Sequence, residues 1–278
     1  MDSRNVDSRI SHLLGLSLVA SMMHFVAGCG NPGDGTVTTV SSAVTSTQMK
    51  SIVPAYFMPD DSVSSWDRVI GGPNQGWAVV NVTNGPGTAG FEQWRADRMD
   101  QLNGAGKTVL GYVPIAHGDR PVNEVFHDII TWFFNYGSRI HGIFFDEASR
   151  DSDNTRVPIY EFFAWSAQNW FTNGPDRGTA MFNFSPAFRG RRYFDCAVQI
   201  ANSWSQHNKL VTRFVTQEEK EDYYPGAEND NNWAAQTWNW VNNYSPEHFL
   251  QLVHDADPSG ANVSDDVAKA KARNAHAV

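Results

Sequence analysis

Cysteine is nearly absent from this sequence. Only Cys29 and Cys196 occur in 278 residues, so no disulfide framework supports the fold and apolar packing must do so. Clusters of positive charge are missing too. Lys and Arg number 21 against 30 Asp and Glu, a formal charge of -9. Attraction to nucleic acid or to an anionic membrane surface therefore has no electrostatic basis, and no nucleic-acid partner is expected. No glycine-rich phosphate turn follows the first β-rich run, where "FMPDDSV" stands instead. No HxxxH or HExxH spacing offers a metal site, so neither metal nor cofactor is implied.

Apolar runs of membrane-spanning length are also lacking. Arg4 and Arg9 precede an apolar run from Leu13 to Val26, too short to cross a bilayer comfortably and closed by small residues, as in an export signal. Val26-Ala27-Gly28-Cys29 resembles a bacterial lipobox, which makes residues 1–28 a lipoprotein-type signal peptide and Cys29 the lipidated first residue of the mature chain. The protein is then extracytoplasmic, either anchored to a bacterial membrane through that lipid or secreted. Loss of residues 1–28 removes Asp2, Asp7, Arg4 and Arg9 and leaves the charge unchanged. Cys196 is left alone, a buried and inert thiol. Residues 29–49, rich in Gly, Ser and Thr, read as a flexible tether.

From residue 50 onward, apolar segments alternate in type. β-rich runs occur at "SIVPAYFMP", "GWAVVNVT", "TVLGYVPI", "GIFFD", "TAMFNF", "CAVQIANSW" (196–204) and "HFLQLVHDA". Between them, 91–105 reads as a helix with Phe91, Trp94, Met99 and Leu102 as core contacts. Val122, Val125, Phe126, Ile129, Ile130 and Phe133 recur at helical spacing, and 157–171 is an aromatic helix. Nearly continuous apolar strands alternating with helices predict an α/β fold with a parallel sheet covered on both faces. Seven such units favour a (β/α)8-type TIM barrel over an open sheet. Residues 50–278 form that domain, with an aromatic insertion at about 205–246.

A β/α barrel works at the C-terminal ends of its strands, so polar residues closing apolar runs are the candidates. Tyr56, Asp60 and Asp61 follow the first strand, Asn81 and Asn84 the second, and Tyr112 and His117 the third. Asp146 and Glu147 follow the fourth. Asn183, Asn202 with Trp204, and His254 with Asp255 follow the remaining three. Helix capping, or pairing with Arg120 or Arg150, is the bland explanation for any one of them. Strand alternation places Asp146 inward and leaves Glu147 on the rim. Ten Trp and 13% aromatic residues are in keeping with a core, and with surfaces on which sugar rings stack.

The blocks "PAYFMPD", "WDRVI", "AVVNVTNGPG", "AGKTVLGYVPIAHGDR", "DIITWF", "GIFFDE" and "YSPEHFLQLVH" resemble, in order and spacing, the spherulin-4-like proteins, which include glycoside hydrolase family 135. The resemblance runs from about residue 52 to 256. It implies a β/α barrel and an exported hydrolase cutting galactosamine-containing exopolysaccharide within the chain, of endo-α-1,4-N-acetylgalactosaminidase type. It also implies that Asp146 and Glu147 are catalytic; Tyr56, Asp60, Asn81, Tyr112, His117, Asn183, Asn202, Trp204 and His254 are, from their places at the strand ends, the candidates to line the substrate. The chain departs from the pattern twice. A third glutamate, expected near the end of strand six, is replaced by Ala201, and the chain stops at Ala277-Val278, where an eighth strand would begin. Seven strands with an open seam are therefore expected.

A glycosidase needs carboxyl groups on both sides of the scissile bond, and neighbours on one strand cannot easily provide them. Asp60, Asp61, Asp255 and the acidic run Glu218, Glu219, Glu221 and Asp222 are candidates for the partner. Trp233, Trp238 and Trp240 in the insertion would form a stacking lid, or a clamp holding the loop to the barrel. The hydrolase reading has one acid beside Phe144 and Phe145 protonating the leaving oxygen and the other holding the positive charge on the sugar. A non-catalytic glycan-binding surface lipoprotein on a degenerate hydrolase barrel is the alternative. A metal-dependent deacetylase using His117, His254 and Asp146 is a remoter one.

Overall fold

The computed structural model describes residues 49–58, 63–72, 76–148, 156–172, 177–183, 212–220, 246–254, 263–272 and 275–277. Seven strands form one sheet in chain order, every neighbouring pair parallel. They are β1 (Ser51–Ala55), β2 (Gly76–Val80), β3 (Lys107–Pro114), β4 (Gly142–Asp146), β5 (Thr179–Asn183), β6 (Thr212–Lys220) and β7 (Phe249–His254). Helices α1 (Val63–Gly71), α2 (Gln93–Gly104), α3 (Val122–Tyr136) and α4 (Val157–Trp170) connect the first five, and α5 (Val263–Ala272) follows β7. Consecutive parallel strands need crossovers, and helices supply them between the first five.

Strands β2 to β5 are largely apolar because both of their faces are covered. Ala78, Val80, Val109, Val113, Ile143, Phe145, Ala180 and Phe182 pack outward in one cluster with Met99, Leu102, Ile129, Trp132 and Phe163 of the helices. The alternate residues Ile52, Trp77, Val79, Leu110, Tyr112, Phe144, Met181, Leu250 and Leu252 fill the interior. Period-two alternation thus separates two apolar layers rather than an apolar face from a polar one. Gly111 lets α3 lie close to β3, since a Cβ there would come within 2.7 Å of the Trp132 ring. The Trp132 indole N–H in turn donates to the Tyr112 carbonyl at 2.9 Å.

Three expectations need correction. First, the sixth strand is Thr212–Lys220, not 196–204, which lies outside the described residues. Its ladder to β5 runs from Ala180↔Thr212 to Asn183↔Val215, and its ladder to β7 from Phe214↔Phe249 to Lys220↔His254. Pairing on both edges selects the segment, and apolar content does not. The supposed insertion at 205–246 therefore contains a strand of the barrel, and the acidic run begins inside that strand rather than in a loop. Second, the barrel has the seven strands expected of an incomplete one, but the seam they leave is bridged rather than bare. Ala277 bridges in parallel to both Lys50 and Leu250. The Lys50 N–H donates to the His276 carbonyl at 3.1 Å, and the His276 N–H donates to the Phe249 carbonyl at 2.8 Å. Ala277, fully buried, joins Ile52 and Leu250 in the interior cluster, so one residue does the work of a closing strand. Third, Phe91 is no core contact. It precedes α2 and is 48% exposed, with its ring against Tyr136 at 5.8 Å.

Candidate functional site

The ends of β3, β4 and β5 meet around one carboxylate. Asp146 closes β4 and is half-buried, with a hydrogen-bond donor supplied by each flanking strand. The Tyr112 hydroxyl donates to Oδ2 at 2.7 Å, and the Asn183 amide donates to Oδ1 at 2.9 Å. The Glu147 backbone N–H adds a further bond to Oδ1 at 2.9 Å. A carboxylate gripped from both sides is fixed in orientation.

Tyr112 holds its proton firmly. Burial pushes the hydroxyl's pKa far up, and the nearby Asp146 charge and their hydrogen bond push it further the same way. Tyr112 therefore remains the donor of this bond throughout the neutral range. The Tyr112 ring stacks on Phe144 at 6.2 Å and meets the edge of Tyr56 at 5.4 Å. Tyr56 is 41% exposed, so the aromatic surface continues from the interior onto the rim.

Glu147, next in sequence, behaves differently. Its φ of 56° is left-handed, which turns the chain out of the strand's alternation and leaves the residue exposed on the rim instead of in the helix layer. Ala116 (φ 45°) and His117 (φ 55°), on the neighbouring loop after β3, share this uncommon conformation. The two loops are tied together. The His117 N–H donates to the Glu147 carbonyl at 2.7 Å, and the Ile115 N–H donates to the Asp146 carbonyl at 3.0 Å. On the far side, the Ala148 N–H donates to the Asn183 carbonyl at 2.8 Å. Non-glycine residues in this region cost on the order of 1 kcal/mol or more each, and such strain concentrates where a side chain must be aimed.

Arg120, a sequence-level suspect for neutralising the acids, is engaged elsewhere. It pairs with Asp128 at 2.7 Å and Glu124 at 3.8 Å and donates to the Pro114 carbonyl. Among the described residues no ion pair involves Asp146 or Glu147.

Of the other expected site residues, Tyr56, Tyr112, His117 and Asn183 gather at this end of the barrel. His117 is half-buried, and its Nδ1 has no hydrogen-bond partner among the described residues. Asn81 is partly committed to structure, because its Oδ1 accepts from the Gly85 N–H at 2.9 Å and its carbonyl accepts from Arg95. His254 closes β7 in register with Lys220. Asp60, Asp61, Asn202, Trp204, Asp255, the tryptophans at 233, 238 and 240, Ala201, Cys196 and the lipidation expected at Cys29 lie outside the described residues. Among the described residues no three His, Cys, Asp or Glu converge to hold a metal.

Sequence reasoning missed the buttress under the strained loop. Arg156, just before α4, pairs with Asp119 at 2.6 Å. A Cβ on Gly118, whose φ is 83°, would come within 2.7 Å of that guanidinium and 3.0 Å of the Tyr160 hydroxyl. The donation of the Tyr112 hydroxyl to Asp146 was not foreseen from the sequence either. The separation of 34 residues hides that bond from any local pattern.

Residues 50–278 match the spherulation-specific family 4, Spherulin4. The chain belongs to this family. A curated relative, Spherulin-4 from Physarum polycephalum, is 34% identical over 111 residues, which is 39% of this chain and 32% of the relative. The chain thus spans about a third of that relative's length. Among solved structures, Aspergillus clavatus Sph3 in complex with GalNAc superposes with a TM-score of 0.59 at 18% identity, covering 82% of this chain and 87% of Sph3. The spherulin-4-like barrel of this chain therefore shares the fold of Sph3. A GH18 chitinase from Pseudoalteromonas aurantia gives a TM-score of 0.41 at 13% identity, over 62% of this chain and 71% of the chitinase.

Proposed function

We propose that this spherulin-4-like barrel is an exported glycoside hydrolase that cuts galactosamine-containing polysaccharide within the chain. The observation that carries the reading is Asp146, oriented by Tyr112 and Asn183 at the C-terminal end of β4, with Glu147, in no ion pair among the described residues, beside it on the rim. Such a pair suits an oxocarbenium-like transition state. Glu147, exposed on the rim, protonates the departing glycosidic oxygen. Asp146, with its oxygens held by donors, faces the anomeric carbon and offsets the positive charge that develops there. The exposed Tyr56 ring, set edge-on to Tyr112, gives a sugar ring an apolar face to rest on. The GalNAc bound in the crystal structure of Sph3 supports an amino sugar as the unit recognised. Export, with attachment through lipid on Cys29, rests on the N-terminal sequence pattern.

The test is release of reducing ends from a galactosamine-rich polymer by the purified chain. Activity in the unaltered protein that is lost in Asp146→Asn and in Glu147→Gln sustains the hydrolase reading. A second reading, a surface protein that binds glycan without turnover, draws on Ala201 standing where the resemblance leads one to expect a glutamate. Tight binding of the polymer with no reducing ends released would favour that reading and refute the first.

A further inference from the structure

Among the described residues, Glu147 is fastened through its backbone alone. Its N–H donates to Asp146 Oδ1 at 2.9 Å, and its carbonyl accepts from the His117 N–H at 2.7 Å. The reach of its carboxyl therefore depends on its own left-handed φ of 56° and on where the loop after β3, which carries His117, is held. Asp146 differs, because Tyr112 and Asn183 grip its carboxylate directly.

The loop after β3 is strained. Ala116, His117 and Gly118 are left-handed in succession, at φ 45°, 55° and 83°. Such conformations persist only where the surroundings over-determine them. Bonds of 2.8 Å from the Gly118 N–H to the Ile115 carbonyl and from the Asp119 N–H to the Ala116 carbonyl fold the loop on itself, without deciding how far it stands from the helices.

The start of α4 decides that. Arg156 and Tyr160 are one turn apart, hence on one face, and together they form a seat for Gly118. A Cβ at Gly118 would lie 2.7 Å from Nη1 and 2.9 Å from Cδ of Arg156, and 3.0 Å from the Tyr160 hydroxyl. Beside this seat the Arg156 guanidinium donates to Asp119 at 2.6 Å. The Asp119 side chain is 73% exposed, and ion pairs so open to water add little to stability. What this pair adds is a fixed distance between α4 and the loop. Glu147 ends β4, α4 follows it in the chain, and Arg156 reaches back from α4 to the loop that holds the Glu147 carbonyl.

We propose that Arg156 is a positioning residue for Glu147, acting through Asp119, Gly118 and the His117 N–H to set the approach of the Glu147 carboxyl to the leaving oxygen. The proposal rests on the hydrolase reading, in which Glu147 is the proton donor. A misplacement of about 1 Å at a reacting group can cost about 10²-fold in rate, so a support this far from the chemistry is enough to matter.

The experiment compares the full chain with Arg156→Ala, Arg156→Lys, Asp119→Asn and Glu147→Gln on two substrates, galactosamine-rich polymer and a short galactosamine oligosaccharide with 2,4-dinitrophenolate as leaving group. A sugar alkoxide needs a proton to depart, and dinitrophenolate does not. On the polymer, Glu147→Gln is expected to lower kcat/KM by roughly 10³-fold and Arg156→Ala by roughly 10- to 100-fold, through kcat with KM little changed. On the dinitrophenyl substrate both losses should shrink to about threefold to tenfold. Arg156→Lys, which keeps a cation against Asp119, should fall between the parent and Arg156→Ala. If Arg156→Ala fails to fold, Asp119→Asn, a change at an exposed position, supplies the comparison. Undiminished polymer cleavage in the Arg156 and Asp119 variants, or equal losses on both substrates, would overturn the assignment, while a selective loss in Glu147→Gln would leave the hydrolase reading intact. Absence of cleavage by the unaltered chain would overturn both.

Discussion

The rim at β4 and the seam between β7 and β1 are held in opposite ways. At the rim, three strands converge on Asp146 through two side-chain hydrogen bonds of 2.7 and 2.9 Å, reinforced by backbone bonds between the loops. At the seam, closure passes through one buried residue, Ala277, and the backbone bonds of Lys50 and His276. The rim fixes the direction of a charge, which backbone pairing alone cannot do. The seam has only to satisfy unpaired strand edges, and any backbone of suitable length suffices. Aiming a side chain and closing a barrel are separate tasks, performed here by different kinds of bond.

The contrast can be tested first where the effect is largest. Asp146→Asn should abolish polymer cleavage, by about 10³-fold or more, while thermal unfolding shifts little; a comparable loss of fold would show the rim to be structural. At the seam, His276→Pro removes the N–H that donates to Phe249. The expected loss is about 1 to 3 kcal/mol in urea unfolding, with activity per folded molecule preserved. Gly111→Ala, under the rim, drives a methyl group against Trp132 and should cost about 1 to 3 kcal/mol as well. Unlike the seam change, it should also lower kcat, because Trp132 is bonded to the Tyr112 backbone.

Smaller effects follow from Tyr112 itself. Tyr112→Phe leaves the ring but removes one donor from Asp146, for a loss of about 1 kcal/mol in stability and a fall in kcat with KM unchanged. Tyr112 and Tyr136 both have hydroxyls whose pKa is raised by burial. The folded state therefore keeps protons that the unfolded chain releases above about pH 10, the ordinary tyrosine value. Their contribution is complete below that pH and is lost as the pH rises past it. Urea midpoints should thus decline in alkali, less steeply in Tyr112→Phe; a flat profile would contradict the burial argument.

Much of this was readable in the residues. "TVLGYVPI" and "GIFFD" are apolar on both faces, as strands between two layers must be, and each was placed to within a residue or two. Asp146 turned inward and Glu147 outward follow from the same alternation, with the left-handed Glu147 completing the turn. Strand β6 was not legible, since "TRFVTQEEK" is mostly polar or charged and "CAVQIANSW" reads as the better strand. Nor was the bond from Tyr112 to Asp146 legible, because it joins separate strands.

Period and apolarity depend on neighbours along the chain, so the sequence by itself determined the alternating elements, the parallel barrel class and the acids that end β4. Which polar segment completes the sheet, and that Ala277 bridges the seam, depend on pairing between distant backbones. Only the tertiary structure decided those, because hydrogen-bonding capacity is the same for every residue but proline and leaves no trace in side-chain chemistry.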